Sequence, residues 1–181
     1  MVKNSMKNQI YKLDDTFISI IGILPIKIKD TGKVIDDLRK ISNKVSLQAF
    51  DANIVYGIEH PIEVLKITLE AERRKIMVAN KPETDLLLRL SHTNQISLAL
   101  KYGGLKNNIC GCFVIFSKDK NMLRKLRDDI ENLFKVNNDV LKPSEAKRKM
   151  ISCNMGLASY KIFDDPIFIR YLLERASLVM K

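Results

Sequence analysis

Short β-branched runs alternate along the chain with stretches whose apolar residues recur every three or four positions. That alternation predicts a sheet wrapped by helices. Residues 17–28 carry Ile18, Ile20, Ile21 and Ile23 and read as a strand, with Gly22 and Pro25 marking a bulge or an edge position. Its end alternates Ile26 and Ile28 with Lys27 and Lys29, as on a half-exposed edge. A helix opens at Thr31-Gly32 and runs to about Lys44 on a stripe of Val34, Leu38, Ile41 and Val45. A second strand over residues 46–50 ends at Asp51, whose carboxylate is placed to cap a turn over residues 52–57. The long helix after that turn has Pro61 in its first turn and a stripe of Ile62, Leu65, Ile67 and Leu69.

Beyond it, residues 75–80 alternate weakly and read as a short strand. Pro82 starts a helix whose Leu86, Leu87, Leu88 and Leu90 require burial on more than one side. That helix stops near His92. Thr93 is placed to cap the next one, with Ile96, Ala99 and Leu100 inward and Gly103-Gly104 as a left-handed exit. The run over residues 109–116 is apolar on both faces and predicts a central strand. Asp119 caps a helix to Phe134 on Leu123, Leu126, Ile130 and Leu133, while Arg124, Lys125, Arg127, Asp128 and Asp129 face solvent. Residues 136–141 read as an edge strand, and Pro143 leads a short basic helix with Lys147, Arg148 and Lys149. A last helix starts at about Pro166, capped by Asp164 or Asp165, with more apolar residues than one core-facing stripe needs. Residues 1–12 are polar and basic and are expected to fray. Neither an internal repeat nor a low-complexity linker interrupts the pattern. The expectation is an α/β protein in the α+β arrangement: one compact domain over residues 1–181, with a small mixed β-sheet flanked by helices.

Composition narrows the function more than the fold. A hydrophobic fraction of 46% and a charged fraction of 29% over 181 residues suit a soluble domain with a real core. No apolar run approaches the roughly 20 residues that span a bilayer, and no apolar core follows the basic N-terminus, so neither membrane insertion nor export is expected. Cys110, Cys112 and Cys153 read as reduced small hydrophobes of a cytoplasmic protein; His60 and His92 supply no zinc spacing. Net charge is +10, with a pI near 9.5. Such an excess points to nucleic acid or an acidic partner surface, or to a composition that simply favours lysine.

The densest candidate region is residues 71–117. There the amide-rich turn around Asn94 and Gln95 lies between the basic cluster Arg73-Arg74-Lys75 and the apolar strand. This arrangement suits gripping something anionic and flat. The cluster also suits the last turn of a helix, where cations complement the dipole, and both readings stay open. Catalytic patterns are missing. The chain has no phosphate-binding glycine loop, so no cofactor is expected, and it has no nucleophile elbow. The pairs Asp14-Asp15, Asp36-Asp37, Asp128-Asp129 and Asp164-Asp165 are adjacent residues, which diverge by about 100° on a helix and do not converge on one reacting atom. His92, alone in a turn, suits a capping role better than a general base.

Two further stretches carry a resemblance. Asp51-Ala52-Asn53-Ile54-Val55-Tyr56-Gly57-Ile58-Glu59-His60 is the first, and Asn94-Gln95-Ile96-Ser97 with Ala99-Leu100-Lys101 and Gly104 is the second. Together with the apolar strand ending at Phe116, they resemble the TPRKB-like family, the kinase-binding small subunit of the KEOPS complex. The likeness is clearest from Asp51 to Ser117 and extends more loosely to Leu172-Leu173-Glu174-Arg175-Ala176; before residue 51 only the element order fits. The resemblance implies a non-enzymatic subunit that binds the N-lobe of the small atypical kinase/ATPase of KEOPS. It also implies binding of tRNA at its single-stranded 3′ CCA end, in support of threonylcarbamoyl-adenosine modification, and a mixed sheet with helices around it.

The residues supply a means for each role. Unpaired nucleotides call for cations at their phosphates, amides at their base edges, and flat or apolar platforms. Arg73, Arg74, Lys75 and Lys81 suit phosphates, Asn80, Asn94 and Gln95 suit base edges, and Lys147 and Arg148 extend the path. Tryptophan is absent and aromatics are 7%, which favours a short, specific pocket over general single-strand binding. Ile169, Leu172, Leu173 and Leu178 are assigned to the partner kinase, against the alternative that they fill the chain's own core. Two other functions remain open: a protein-only regulatory adaptor of a kinase, and a small enzyme of unfamiliar motif.

Overall fold

The computed structural model describes residues 9–27, 29–42, 44–157 and 164–180. Four strands form one sheet: β1 (Ile10–Leu13), β2 (Thr16–Ile23), β3 (Ser46–Asp51) and β4 (Gly111–Ser117), in the order β1-β2-β4-β3. The class is α+β. Where a mixed sheet was expected, all three ladders run antiparallel. The reason is topological. β2 and β3 are joined by helix α1 (Thr31–Ile41) and run parallel to each other, but β4 inserts between them and opposes both.

β4 is central, as its composition predicts, and all seven of its residues are buried. Alternate side chains enter two separate cores. Cys112, Val114 and Phe116 join Ile18, Ile20 and Phe50 on one face, beneath Val64 and Leu65 of α2 (Glu59–Arg73). Leu86, Leu88 and Leu90 of α3 (Pro82–Leu90), Ala99 of α4 (Ile96–Gly103) and Ala176 of α7 (Asp165–Ser177) complete that layer. Phe113 and Ile115 join Ile21, Ile23 and Leu47 on the other face, under Leu38 of α1 and Leu123, Leu126 and Ile130 of α5 (Lys120–Leu133). A satellite cluster of Tyr56, Ile151, Phe168 and Leu172 ties α7 to α6 (Glu145–Asn154). Among the described residues, no helix is long and apolar enough to cross a membrane.

The capping expectations at Asp51, Asp119 and the start of the last helix hold. Asp51 accepts from the Asn53 N–H at 2.9 Å, Asp119 from Asn121 and Met122, and Asp164, not Asp165, caps α7 through Ile167 N–H. Several element expectations are corrected. Residues 10–12, expected to fray, lie in β1 and pair with β2 across a two-residue turn, because Tyr11 and Leu13 gain a core contact there. β2 is an inner strand, and Pro25 falls beyond its end. Residues 75–80 form no strand, nor do residues 136–141, which make one isolated bridge from Val136 to Ile23 and then a 3-10 turn, Asn138–Leu141. The stripe of α2 is Pro61, Val64, Leu65, Thr68 and Ala71; Ile62, Ile67 and Leu69 are only half-buried. Small Thr68 and Ala71 let neighbouring helices approach, a signal that counting large apolar residues misses. Gln95, not Thr93, precedes α4, and Ile96 and Leu100 of that helix are exposed. Gly104 has φ −68°, so it is no left-handed exit. Gly103 is required for proximity instead: a Cβ there would meet Ser91 Oγ at 2.3 Å and Ile54 Cδ1 at 2.7 Å.

Gly22 is likewise neither a bulge nor an edge marker. Its N–H donates to Asn138 Oδ1 at 2.7 Å and its carbonyl accepts from Asn137 N–H at 2.8 Å, so the 3-10 segment lies directly on the strand. A Cβ at Gly22 would sit 2.7 Å from Asn137 O and 2.9 Å from Val140 Cγ2. Gly22→Ala should therefore destabilise the protein by about 1–3 kcal/mol in urea unfolding, with an unchanged m-value.

Candidate nucleic-acid interface and partner surface

The helix-ending triplet Arg73-Arg74-Lys75 is placed by its backbone. Lys75 takes a left-handed φ of +59°, and the Ile76 N–H returns to Ala71 O at 2.9 Å, closing α2. Glu70 accepts from Arg73 Nε at 2.9 Å and also from Arg74, and the two guanidiniums hold its carboxyl below the usual range. The triplet thus fulfils its structural reading while staying exposed.

A buried ion pair holds the neighbouring segments in place. Arg89 Nε donates to Asp85 Oδ2 at 2.6 Å, with both side chains almost fully enclosed. Asp85 Oδ1 accepts from Val78 N–H at 2.6 Å, and Arg89 Nη1 donates to Ala176 O at 2.9 Å and Val179 O at 3.4 Å. One pair therefore holds both the loop after α2 and the end of α7. Sequence reasoning passed over it, although its signal was visible: an acid and a base four apart inside a leucine-rich helix buried on every side.

Around that pair lie two neighbouring depressions. The larger, about 760 Å³, is lined by Ile67, Ala71, Ile76 and Val179 and by Glu70, Arg74 and Lys75. The smaller, about 320 Å³, is lined by His92, Asn94, Arg175 and Leu178. Val179 and Met180 line both. Asn94 Nδ2 donates to Met180 O at 3.1 Å. Gln95 is exposed beside it, its N–H on Thr93 Oγ1 at 3.2 Å.

The proposed site residues thus divide. Arg74, Lys75 and Asn94 come together across the 179–180 segment. Arg73 lines a different depression with Asp15, Glu72 and Lys118. Asn80 and Lys81 are exposed just before α3 but line neither of the first two depressions. Lys147 leaves the cationic path altogether. It is 6% exposed, and its Nζ donates to Val55 O at 2.9 Å and Val140 O at 2.6 Å. Burial draws its ammonium down to about 8, against the opposing pull of Cys112, Asp51 and Cys110. Arg148 is also engaged inside the protein: it donates to Tyr56 Oη at 2.9 Å and to Asp165, over the Tyr56 and Phe168 rings. Spacing gave no warning of this, because Tyr56 and Arg148 are 92 positions apart.

The partner surface is corrected in part. Leu172 is fully buried and belongs to the core, as does its neighbour Phe168. Ile169 and Leu173 are half-buried against the two adjoining clusters. Leu178 is 56% exposed, and Ile167, outside the assigned set, is exposed as well. None of the three cysteines is bridged, and burial pushes the Cys112 thiol up to about 12.

His60 and His92 are structural. His60 Nδ1 accepts from the Tyr56 N–H at 3.3 Å, which leaves the proton on Nε2, enclosed and unpartnered among the described residues. Burial lowers His60 to about 3, reinforced by His92 and Lys147, and lowers His92 to about 4, reinforced by Arg175. His92 keeps a partly exposed edge, but both ring nitrogens are enclosed. The unfolded chain therefore binds more protons than the folded one below the ordinary histidine range. Stability should be level above pH of about 6.5 and fall as pH drops, by up to about 1.4 kcal/mol per unit for each histidine. Urea midpoints between pH 7 and 5, above the carboxylate range, check this, and His60→Gln should flatten the slope. Arg89→Met, which strands Asp85 in the core, should cost about 3–5 kcal/mol by the same measurement.

The family model described as kinase binding protein CGI-121 matches residues 26–158. None of the curated proteins compared with the chain matches it. The matched region runs from just beyond β2 through α6, taking in α2, the Asp85–Arg89 pair and the central strand, and by that match the chain belongs to the CGI-121 family of kinase-binding proteins.

Proposed function

We propose that this chain is a non-catalytic, cytoplasmic subunit of KEOPS. In this reading it docks on the complex's atypical kinase/ATPase, holds the single-stranded 3′ CCA end of tRNA, and so supports threonylcarbamoyl-adenosine modification. Family membership supplies the kinase partner. The observation that carries the RNA half is the depression beside the end of α2, where Arg74 and Lys75 share the lining with Ile67, Ala71, Ile76 and Val179. An unpaired nucleotide presents a charged backbone and a flat base. Cations in the lining answer the first and apolar side chains the second, without tryptophan. Asn94 brings an amide to the adjoining depression, where a base edge can be read, and Gln95 stands exposed next to it in the chain.

One observation favours the second reading, a protein-only adaptor: Glu70 already engages both Arg73 and Arg74 and so dilutes the local charge. Intact tRNA and tRNA lacking CCA separate the two. On the RNA reading, removing CCA weakens binding by about tenfold or more, since each stacked base contributes roughly 1–3 kcal/mol. Equal affinity for both overturns the pocket, and no binding at all leaves the adaptor.

Two variant sets extend the test. Arg74→Gln with Lys75→Gln should weaken CCA-ended RNA and lower the salt slope by about 1.4, as expected for two lost single-strand phosphate contacts, with only the small fall in melting temperature that loss of the exposed Glu70–Arg74 pair brings. Leu178→Asp should abolish co-purification with the kinase while the protein stays folded. Leu172→Asp should unfold it, because Leu172 is a core residue.

A further inference from the structure

We propose that Met180, the outer end of the segment 178–180, is a displaceable strap across the site, holding Asn94 through its carbonyl and giving way to single-stranded nucleic acid. The inference rests on the RNA reading above and adds a means of regulation to it.

The strap is fastened unequally. Its inner half is anchored: Val179 is 8% exposed, packs into the core, and its carbonyl lies 3.4 Å from the buried Arg89 guanidinium. Its outer half is held lightly. Met180 is 68% exposed, and among the described residues its carbonyl takes one exposed hydrogen bond, from Asn94 Nδ2 at 3.1 Å. The chain therefore has a natural parting point between Val179 and Met180, with a fixed residue on one side and an unbranched, flexible one on the other.

Its position gives that parting a consequence. Met180 lines the large depression with Arg74 and Lys75, and the small one with His92 and Asn94. It stands in the wall between them. A ligand whose phosphate meets Lys75 and whose base reaches Asn94 must cross that wall. The amide hydrogen now given to Met180 reaches a base acceptor only once the strap lets go. Asn94 keeps its second amide hydrogen and its Oδ1, so closing the strap and binding the nucleotide compete for one hydrogen and for the place of Met180, and each weakens the other. One solvent-exposed hydrogen bond has a modest net value, which sets the self-competition at about two- to tenfold in affinity.

The test compares the full chain with a form ending at Val179, using a fluorescently labelled ACCA ribonucleotide at fixed salt. The shortened form should bind about two- to tenfold more tightly, with an unchanged melting temperature. Shortening also removes Lys181, whose loss alone disfavours an anion, so tightening has the opposite sign from the charge effect. A second measurement uses the full chain with its methionine methyls labelled: the Met180 methyl resonance should move on saturation with ACCA. Equal or weaker binding by a stably folded shortened form overturns the strap alone. If shortening lowers the melting temperature, the methyl resonance decides, and an unmoved signal overturns it. Failure of both forms to bind overturns the RNA reading, and the strap with it.

Discussion

A strand with no solvent face organises this molecule. β4 is buried along its whole length and flanked on both edges, so its side chains need covering on two sides. That requirement produces two helical layers and two cores. The layers differ in kind. α1 and α5 each lay a plain amphipathic stripe on the sheet. The opposite layer stacks α2, α3, α4 and α7, and α3 is enclosed by its neighbours rather than resting on the surface. Burying a helix on every side leaves its polar residues to find partners inside the protein.

Asp85 and Arg89 are that consequence, and they also link the elements of the candidate site. The pair bonds the loop after α2 on one side and, on the other, the Ala176 carbonyl of α7 and the Val179 carbonyl just past it. Those are the segments around which Arg74, Lys75 and Asn94 gather. A buried pair contributes little net stability, because desolvation offsets its attraction, but losing one partner is costly. Its effect here is positional. Lys147 shows the same economy elsewhere: a cation drawn into the structure to satisfy the Val55 and Val140 carbonyls, and lost to any surface role.

Much of the fold was legible because it rests on local chemistry. The caps at Asp51 and Asp119, the leucine-rich α3 and the apolar β4 each declare themselves within about ten residues. The errors share a cause. Residues 75–80 and 136–141 have strand-like composition, yet the first joins no ladder, and the second meets the edge of β2 only at Val136 and Asn137 before it turns into the 3-10 segment that lies on Gly22. Ile96 and Leu100 follow a helical stripe, but nothing among the described residues covers that side of α4.

The candidate site divides along the same line. Residue types at close spacing marked the basic end of α2 and the amide-rich turn, since charge, capping and hydrogen-bonding capacity belong to side chains wherever they lie. Which of those side chains share a surface is a matter of distant contacts. Asn94 meets Met180 across 86 positions, and Arg148 meets Tyr56 across 92. Leu172 and Leu178 look alike in sequence, six residues apart near the chain's end, yet one is enclosed by Tyr56 and Ile151 and the other faces water. Composition carries the propensity to bury or to bind; packing against remote segments selects which residues are spent on the core and which remain for a partner.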